Sequence, residues 1–254
     1  MIVGNVPTTD GKTDTFGQGS LLILDSNGKV VETLSDIQLL DGPWDLAIND
    51  QDREVQVFVS NVLNGTVTRI DLDVPRNGNP VVESMTRIAS GYKHEPNDAA
   101  LVVGPTGLAY DARRDILYVA STDDNAIFAI RDAGDTREDH GMGKLIYSDP
   151  AHMHGPLGLV LAPNGDLIAS QGDAVNADPN QPSELVEFTT KGKFVGQFSV
   201  DPGTGGAFGI AISSVDGSLR FAAVDDNTNS LDLWTFSTPH HRHHHGDGDS
   251  GGDR

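Results

Sequence analysis

The chain has 254 residues and a formal net charge of −20, because 17 Lys and Arg face 37 Asp and Glu. A field of this sign repels phosphate backbones and anionic lipid, so nucleic acid and membrane surfaces are excluded as expected partners. The sequence contains no cysteine, which excludes disulfides, thiolate nucleophiles and zinc–thiolate clusters. No apolar run approaches the roughly 18 residues of a membrane span, so no membrane insertion is expected.

The first predicted elements are three short strands. "IVGNV" has the character of a strand, and "GSLLILDSNGKVVETLSD" contains two more strands around an Asn-Gly turn. No glycine-led strand precedes them. The start at Met1 inside an apparent strand suggests that the chain is truncated.

A repeated segment then organises the rest of the chain. Its copies are "GPWDLAI" (42–48), "GPTGLAY" (104–110), "GPLGLVL" (155–161) and, more loosely, "GAFGIAI" (206–212). Each copy is followed by a turn and two further strand patterns, and a fourth strand pattern follows in the first three copies. Such repeats are typical of four-stranded meanders that stack around an axis.

We therefore predict an all-β fold, a β-propeller of four-stranded antiparallel blades. The strand count is compatible with five or six blades and with a truncated ring. Residues 1–237 form the propeller domain in this interpretation. Residues 238–254, rich in His, Asp and Gly, have no apolar content and are predicted to be a disordered tail. A sandwich would lack the repeated glycine, and no helical patterns support an alternating β/α fold.

Glycine-led units followed by patterns such as "DILYVASTDDNAIFAI" resemble NHL-repeat β-propellers. "GPWDLAI" and "IVGNVPTTDGKTDTFGQGSLLILD" resemble, more narrowly, a family of bacterial, usually exported propeller proteins. The resemblance implies a periplasmic or extracellular location, which the chain itself does not show. It is nearly silent on activity, since propellers host binding proteins, lactonases and lyases alike.

Histidines are the first candidates for chemistry at the channel mouth, where loops of several blades are expected to meet. His154 directly precedes a Gly-Pro pair, and His94 lies in the insertion "GYKHEPNDAALVV". A catalytic zinc usually has three protein ligands. The positions equivalent to His154 in other repeats are Asp41, Val103 and Gly205, so only one of the four is histidine. A polar residue at the rim is the simpler interpretation of His154, whereas His152 is expected to face elsewhere because side chains alternate in direction.

Carboxylates in turns are the second candidates, as ligands of calcium or another divalent cation. Asp123 and Asp225 each begin or follow an Asp-Asn-rich turn. The pattern of a calcium loop fails after Asp225, because Ser230 and Phe236 replace its glycine and its glutamate. Asp and Asn also favour turns for local reasons alone.

Ligand contacts are predicted from an aromatic residue and a long loop. Trp44 and Asp45 open the first complete blade, where an aromatic ring at the channel can stack on a ligand, although core packing is the commoner role of tryptophan. Asp173, Asn176 and Asp178 lie in the loop "SQGDAVNADPNQPS". Insertions on one face of a repeat protein often form its binding surface.

The leading functional hypothesis is a monomeric propeller that binds a small molecule or protein on its acidic loop face, with or without structural calcium. The alternative is a metal-dependent hydrolase or lyase, lactonase-like, with a divalent ion at the channel mouth. His154, Asp45 and His94 are the candidate catalytic residues of that alternative. Its candidate metal ligands are His154, Asp45, Asp123 and Asp225.

Overall fold

The computed structural model describes residues 1–76, 78–97, 101–171, 184–203, 205–215 and 218–237. These residues form twenty β-strands and a single 3-10 turn at Thr13–Thr15. None of them belongs to a helix long and apolar enough to cross a bilayer. The loop candidates Asp173, Asn176 and Asp178 and the predicted tail at 238–254 lie outside the described residues.

Five antiparallel sheets follow one another along the chain. Blade 1 consists of β1 (Ile2–Asn5), β2 (Ser20–Leu24) and β3 (Val30–Leu34). Blade 2 consists of β4 (Pro43–Gln51), β5 (Glu54–Asn61), β6 (Thr66–Asp73) and β7 (Val81–Ser90). A separate hairpin, β8 (Glu95–Asn97) and β9 (Leu101–Val103), follows blade 2.

The remaining blades repeat the same meander. Blade 3 consists of β10 (Pro105–Asp111), β11 (Ile116–Ser121), β12 (Ala126–Arg131) and β13 (Lys144–Tyr147). Blade 4 consists of β14 (Pro156–Leu161), β15 (Asp166–Gln171), β16 (Glu184–Thr189) and β17 (Phe194–Ser199). Blade 5 consists of β18 (Ala207–Val215), β19 (Ser218–Asp225) and β20 (Ser230–Ser237).

The predicted all-β propeller is confirmed, with five blades. The number of described strands in each blade also agrees with the sequence prediction. The first and last blades have three strands, and each blade between them has four. The insertion that carries His94 adds the hairpin β8–β9, which lies between blades 2 and 3 in the chain.

The repeated glycine-led segment forms the inner strand of each of blades 2 to 5. Every one of these strands has an irregularity in its pairing at the same point of the repeat, between Pro43 and Leu46, Pro105 and Leu108, Pro156 and Leu159, and Ala207 and Ile210. A bulge bends a strand and redirects its side chains. The repeat therefore encodes a bend at the axis of the ring.

Glycine at the bulge allows the inner strands to touch through their backbones. A Cβ placed on Gly107 of β10 would lie 2.5 Å from the carbonyl oxygen of Leu157 and 2.6 Å from the nitrogen of Leu159, both in β14. A Cβ on Gly158 would lie 3.0 Å from the carbonyl oxygen of Phe208 in β18. The spacing of neighbouring blades at the axis is thus set by the absence of side chains.

Apolar cores fill the spaces between consecutive blades. Within the described residues four such clusters occur, one at each junction from blade 1 to blade 5. Aromatic pairs join the sheets, with ring centroids 4.7 Å apart for Phe58 and Tyr110 and 4.5 Å apart for Tyr147 and Phe188. At the outer strand of blade 5, Leu231 and Leu233 are exposed.

The first prediction concerns the contact at Gly107. We expect Gly107→Ala to lower the free energy of unfolding by about 2 kcal/mol or more, because the new methyl group meets backbone atoms that no side-chain rotation can move away. Urea unfolding followed by circular dichroism measures the change.

Gly196 in β17 provides the matched control, since a Cβ there would meet nothing within 4 Å. Gly196→Ala is expected to leave stability nearly unchanged. Equal stabilities of the two variants would show that the inner strands do not set the spacing of the blades.

Candidate functional site

One face of the ring collects the loops that precede each inner strand and the turns that join second to third strands. A buried polar side chain ends the second strand in each of blades 2 to 5, directly across from the first residue of the inner strand. These residues are Asn61, Ser121, Gln171 and Asp225. Their side chains hold the loops of this face, which we call the mouth.

The polar residues of the turns have local structural roles. Gly65, Asn125 and Asn229 occupy the last position of equivalent turns and have φ angles of 66°, 48° and 53°. Asp225 accepts hydrogen bonds from the nitrogen of Asn227 at 3.1 Å and the hydroxyl of Thr228 at 2.7 Å. Asp225 is therefore a buried turn residue in this structure.

A cavity of about 390 Å³ lies at the mouth between the β8–β9 hairpin and the loops of blades 3 and 4. His154 and Asp123 both line it. The other lining residues are Glu95, Asn97, Val103, Thr122, Asn125 and Gly155. Two predicted site residues thus meet here, although they lie 31 positions apart in the sequence.

The loop that carries His154 is fixed by two neighbouring amides. Asn125 donates from Nδ2 to the carbonyl of Met153 and accepts at Oδ1 from the nitrogen of Gly155, both at 2.8 Å. Gln171 accepts from the nitrogen of His154 and donates from Nε2 to the carbonyl of His152 at 2.9 Å. The backbone on both sides of His154 is therefore held in place.

His152 belongs to a different environment. Its Nδ1 lies 2.7 Å from Oδ2 of Asp149, and its ring stacks on Phe194 with centroids 3.9 Å apart. The hydrogen bond from His152, together with that from the nitrogen of Ala151, holds the pKa of the Asp149 carboxyl below its usual value. His152 thus packs against β17 of blade 4.

Trp44 and Asp45 line a second, smaller cavity of about 200 Å³ at the axis, together with residues of β14 and β18. The ring centroids of Trp44 in blade 2 and Phe208 in blade 5 lie 6.3 Å apart. Asp45 accepts from the nitrogens of Leu46 and Leu108, each at 2.8 Å. Burial raises the pKa of Asp45, and these two hydrogen bonds oppose the shift.

Asp45 replaces a glycine of the repeat. The equivalent bulge positions in blades 3, 4 and 5 are Gly107, Gly158 and Gly209. In blade 2 the carboxylate of Asp45 instead bridges to the bulge of blade 3 through Leu108. Asp45 therefore links two inner strands and faces a cavity other than the one that His154 lines.

His94 lies at the junction of blades 2 and 3. Its Nδ1 is 3.0 Å from the carbonyl of Tyr92, and its side chain packs close to Gly65 and Gly104. Burial raises the pKa of nearby Asp41, and the charge of His94 acts in the opposite direction. The structure therefore places His94 against Gly65 and Gly104 and outside the lining of the mouth cavity.

The predicted metal ligands do not assemble into one cluster in the described part of the chain. No group of three or more His, Asp or Glu side chains is arranged there to hold a metal ion. His154 and Asp123 share one cavity, whereas Asp45 and Asp225 lie elsewhere. Calcium or another divalent cation stays a prediction from the sequence.

Glu95 and Asn97 were missed as candidates. They belong to the short hairpin β8–β9, which the sequence marks only as an insertion before the second repeat. An insertion on the loop face of a repeat protein is itself a signal of a binding surface. The sequence does not show toward which blade it folds.

Comparison with known proteins finds similarity in fold. No protein-family model matches it, and no curated protein matches its sequence. The periplasmic gluconolactonase PpgL of Pseudomonas aeruginosa is similar in structure, with 14% identity over 94% of this chain and 69% of that chain and a TM-score of 0.50. A putative 6-phosphogluconolactonase of Bacteroides fragilis gives 11% identity over 93% and 68%, also with a TM-score of 0.50.

Hydrazine synthase of Kuenenia stuttgartiensis is also similar, with 13% identity over 77% of this chain and a TM-score of 0.46. This chain spans 49% of that protein's length. At such identities the similarities concern the fold alone.

A second prediction tests the bridge made by Asp45. In Asp45→Asn one of the two backbone N–H groups faces an amide nitrogen and loses its acceptor. An unsatisfied buried donor costs about 1–3 kcal/mol, so we expect a loss of unfolding free energy of that size. Urea unfolding provides the measurement, with Asp52→Asn at an exposed turn as the control. Equal stability of Asp45→Asn and the wild type would contradict the bridge.

A third prediction concerns the pair of Asp149 and His152. Because the pKa of Asp149 is lowered from 3.8 in the folded chain, its stabilising contribution is complete above that unfolded value and is lost as the pH falls from there through the lowered pKa of the folded chain. Asp149→Asn should reduce stability by roughly 0.5–1 kcal/mol at pH 6. The difference from the wild type should shrink toward pH 3 in urea unfolding series. A difference independent of pH would contradict the assignment.

Proposed function

We propose that the protein binds a small organic cation, such as an amine, in the mouth cavity. The observation that carries this proposal is that Glu95 and Asp123 both line one cavity of about 390 Å³, whose lining includes no Lys or Arg among the described residues. The two carboxylates come from different parts of the fold. A ligand between them would touch both the hairpin and blade 3.

The surroundings of the cavity favour a cation over an anion. The ammonium of Lys93 lies 3.9 Å from Oδ1 of Asp124, so its charge is partly matched by a carboxylate next to the cavity. A net charge of −20 adds an attractive field for cations. Charge-assisted hydrogen bonds to Glu95 and Asp123 supply short-range recognition.

The proposed ligand site has a fixed wall and an exposed wall. Asn125 and Gln171 hold the backbone of the His154 loop, whereas Glu95 is an exposed residue of the two-stranded hairpin. Pre-organised groups reduce the entropic cost of binding. His154 and Asn125 are thus suited to orient a ligand, while Glu95 supplies charge.

Catalysis is the alternative function. Two similar structures carry lactonase names, but a shared fold does not carry activity. The metal-dependent, lactonase-like hydrolase or lyase therefore enters the experiments as an outcome to be measured. The exported location of PpgL gives the same limited support to export of this chain.

The fourth prediction tests cation binding with cadaverine, and 1,5-pentanediol serves as its neutral analogue of equal length. We expect isothermal titration calorimetry to detect binding of the diamine and not of the diol. Glu95→Gln and Asp123→Asn should each weaken binding about tenfold, since a charge-assisted hydrogen bond contributes about 1.5–3 kcal/mol. Added salt should weaken binding further.

Glu83→Gln is the matched control, because it removes one negative charge from an exposed position on β7. Equal weakening by this variant, or equal binding of diol and diamine, would contradict a specific site. Turnover of gluconolactone that chelator abolishes, measured on protein lacking residues 238–254, would replace the binding function by the hydrolase.

A further inference from the structure

Glu95 and Asp123 line the mouth cavity, but another cavity of the described residues is lined by cations. Arg131, Lys144 and Lys191 line a cavity of about 280 Å³ between blades 3 and 4. It lies at the ends of the strands opposite the mouth, beside the turn between β16 and β17. Three of only 17 basic residues thus share one small cavity on a chain with 37 acidic residues.

Strand pairing fixes two of these cations on one face of blade 3. Tyr118 pairs with Ala129, and Ala129 pairs with Lys144. Ile116 pairs with Arg131. Because every second residue of a strand points to the same face, Arg131 and Lys144 share the face that Ile116 and Tyr118 present to blade 4. Lys191 approaches from blade 4 and completes the group.

The three cations have no carboxylate partners within the residues that the structure describes. Six other basic residues there form ion pairs, namely Arg53, Arg69, Arg87, Lys93, Arg113 and Arg114. Like charges on neighbouring strands repel each other. Ion pairs form readily on a chain with so many acidic residues. A cluster of cations without carboxylate partners would be stabilised by a bound anion.

Hydroxyl groups and apolar side chains complete the cavity. Tyr118 and Thr190 both line the cavity and carry hydroxyl groups. Ile116, Leu145 and Ile146 supply apolar surface beside the charges. Hydroxyl and ammonium donors suit tetrahedral oxygens, and the apolar surface suits a carbon group attached to them.

We propose that this cavity binds the phosphate group of a small phosphate monoester that carries an apolar or aromatic group. The three positive charges match the dianion of a monoester near neutral pH. The site is separate from the mouth cavity and does not depend on the function proposed for it.

The net charge of the chain limits this site to short-range recognition. The field of −20 charges repels an anion at a distance, but screening reduces interactions between exposed charges beyond about 8 Å at physiological salt. Within that distance Arg131, Lys144 and Lys191 dominate. The ligand is therefore expected to associate slowly at low salt. Its affinity should depend on short-range contacts, which inorganic phosphate makes less well than a phosphate monoester.

The test uses phenyl phosphate as the probe, with inorganic phosphate for comparison, in ³¹P NMR titrations of the full chain. We expect phenyl phosphate to bind at least about fivefold more tightly than inorganic phosphate, because the ring adds contact with the apolar surface. Lys144→Gln and Arg131→Gln should each weaken binding of phenyl phosphate about five- to tenfold. The double variant should abolish detectable binding.

Lys29→Gln is the matched control, since Lys29 is an exposed lysine of blade 1. Equal weakening by this variant would mean that only net charge matters and would overturn the site. Unchanged binding in the double variant would also overturn it. Circular dichroism confirms folding of each variant, and retained cadaverine binding in the double variant would show that the two sites are independent.

Discussion

The close approach of inner strands at the axis is the constraint on which the rest of this structure depends. Backbone atoms of β10 and β14 lie so near to each other that a methyl group on Gly107 would fall 2.5 Å from a carbonyl oxygen. Bulges at the same position of each repeat turn the strands so that this contact is possible. Polar side chains then bridge the blades, as when the hydroxyl of Ser60 donates to the carbonyl of Thr106 at 2.7 Å.

The tight axis determines what the loops can do. Because the inner strands converge, the loops before them and the turns beside them crowd onto one rim, and residues far apart in sequence face the same cavity. Asp123 and His154 meet in this way. The cation-lined cleft lies at the opposite ends of the strands and is lined by residues of blades 3 and 4.

The fold could be predicted from the sequence because every copy of the repeat is subject to the same physical constraint. Each glycine-led segment has to form the same bulge against the same neighbour, so the four copies retain a common pattern. The placement of Asp123 and His154 on one face follows from the same periodicity. The roles of Asp45 and Asp225 do not follow from it. In the sequence alone, a buried carboxylate that accepts hydrogen bonds from backbone N–H groups cannot be distinguished from a metal ligand. Glu95 was missed since a hairpin inserted between repeats has no periodic partner that fixes its direction.

Electrostatics separate the two proposed sites more sharply than shape does. At the mouth, the local carboxylates of Glu95 and Asp123 act in the same direction as the net charge of −20, so attraction of a cation begins at long range. At the cleft between blades 3 and 4, Arg131 and Lys144 act against that field. Salt should therefore weaken cation binding at the mouth, where it screens a favourable field. At the cleft, screening removes long-range repulsion as well as local attraction, so the affinity for a phosphate monoester should depend less on salt.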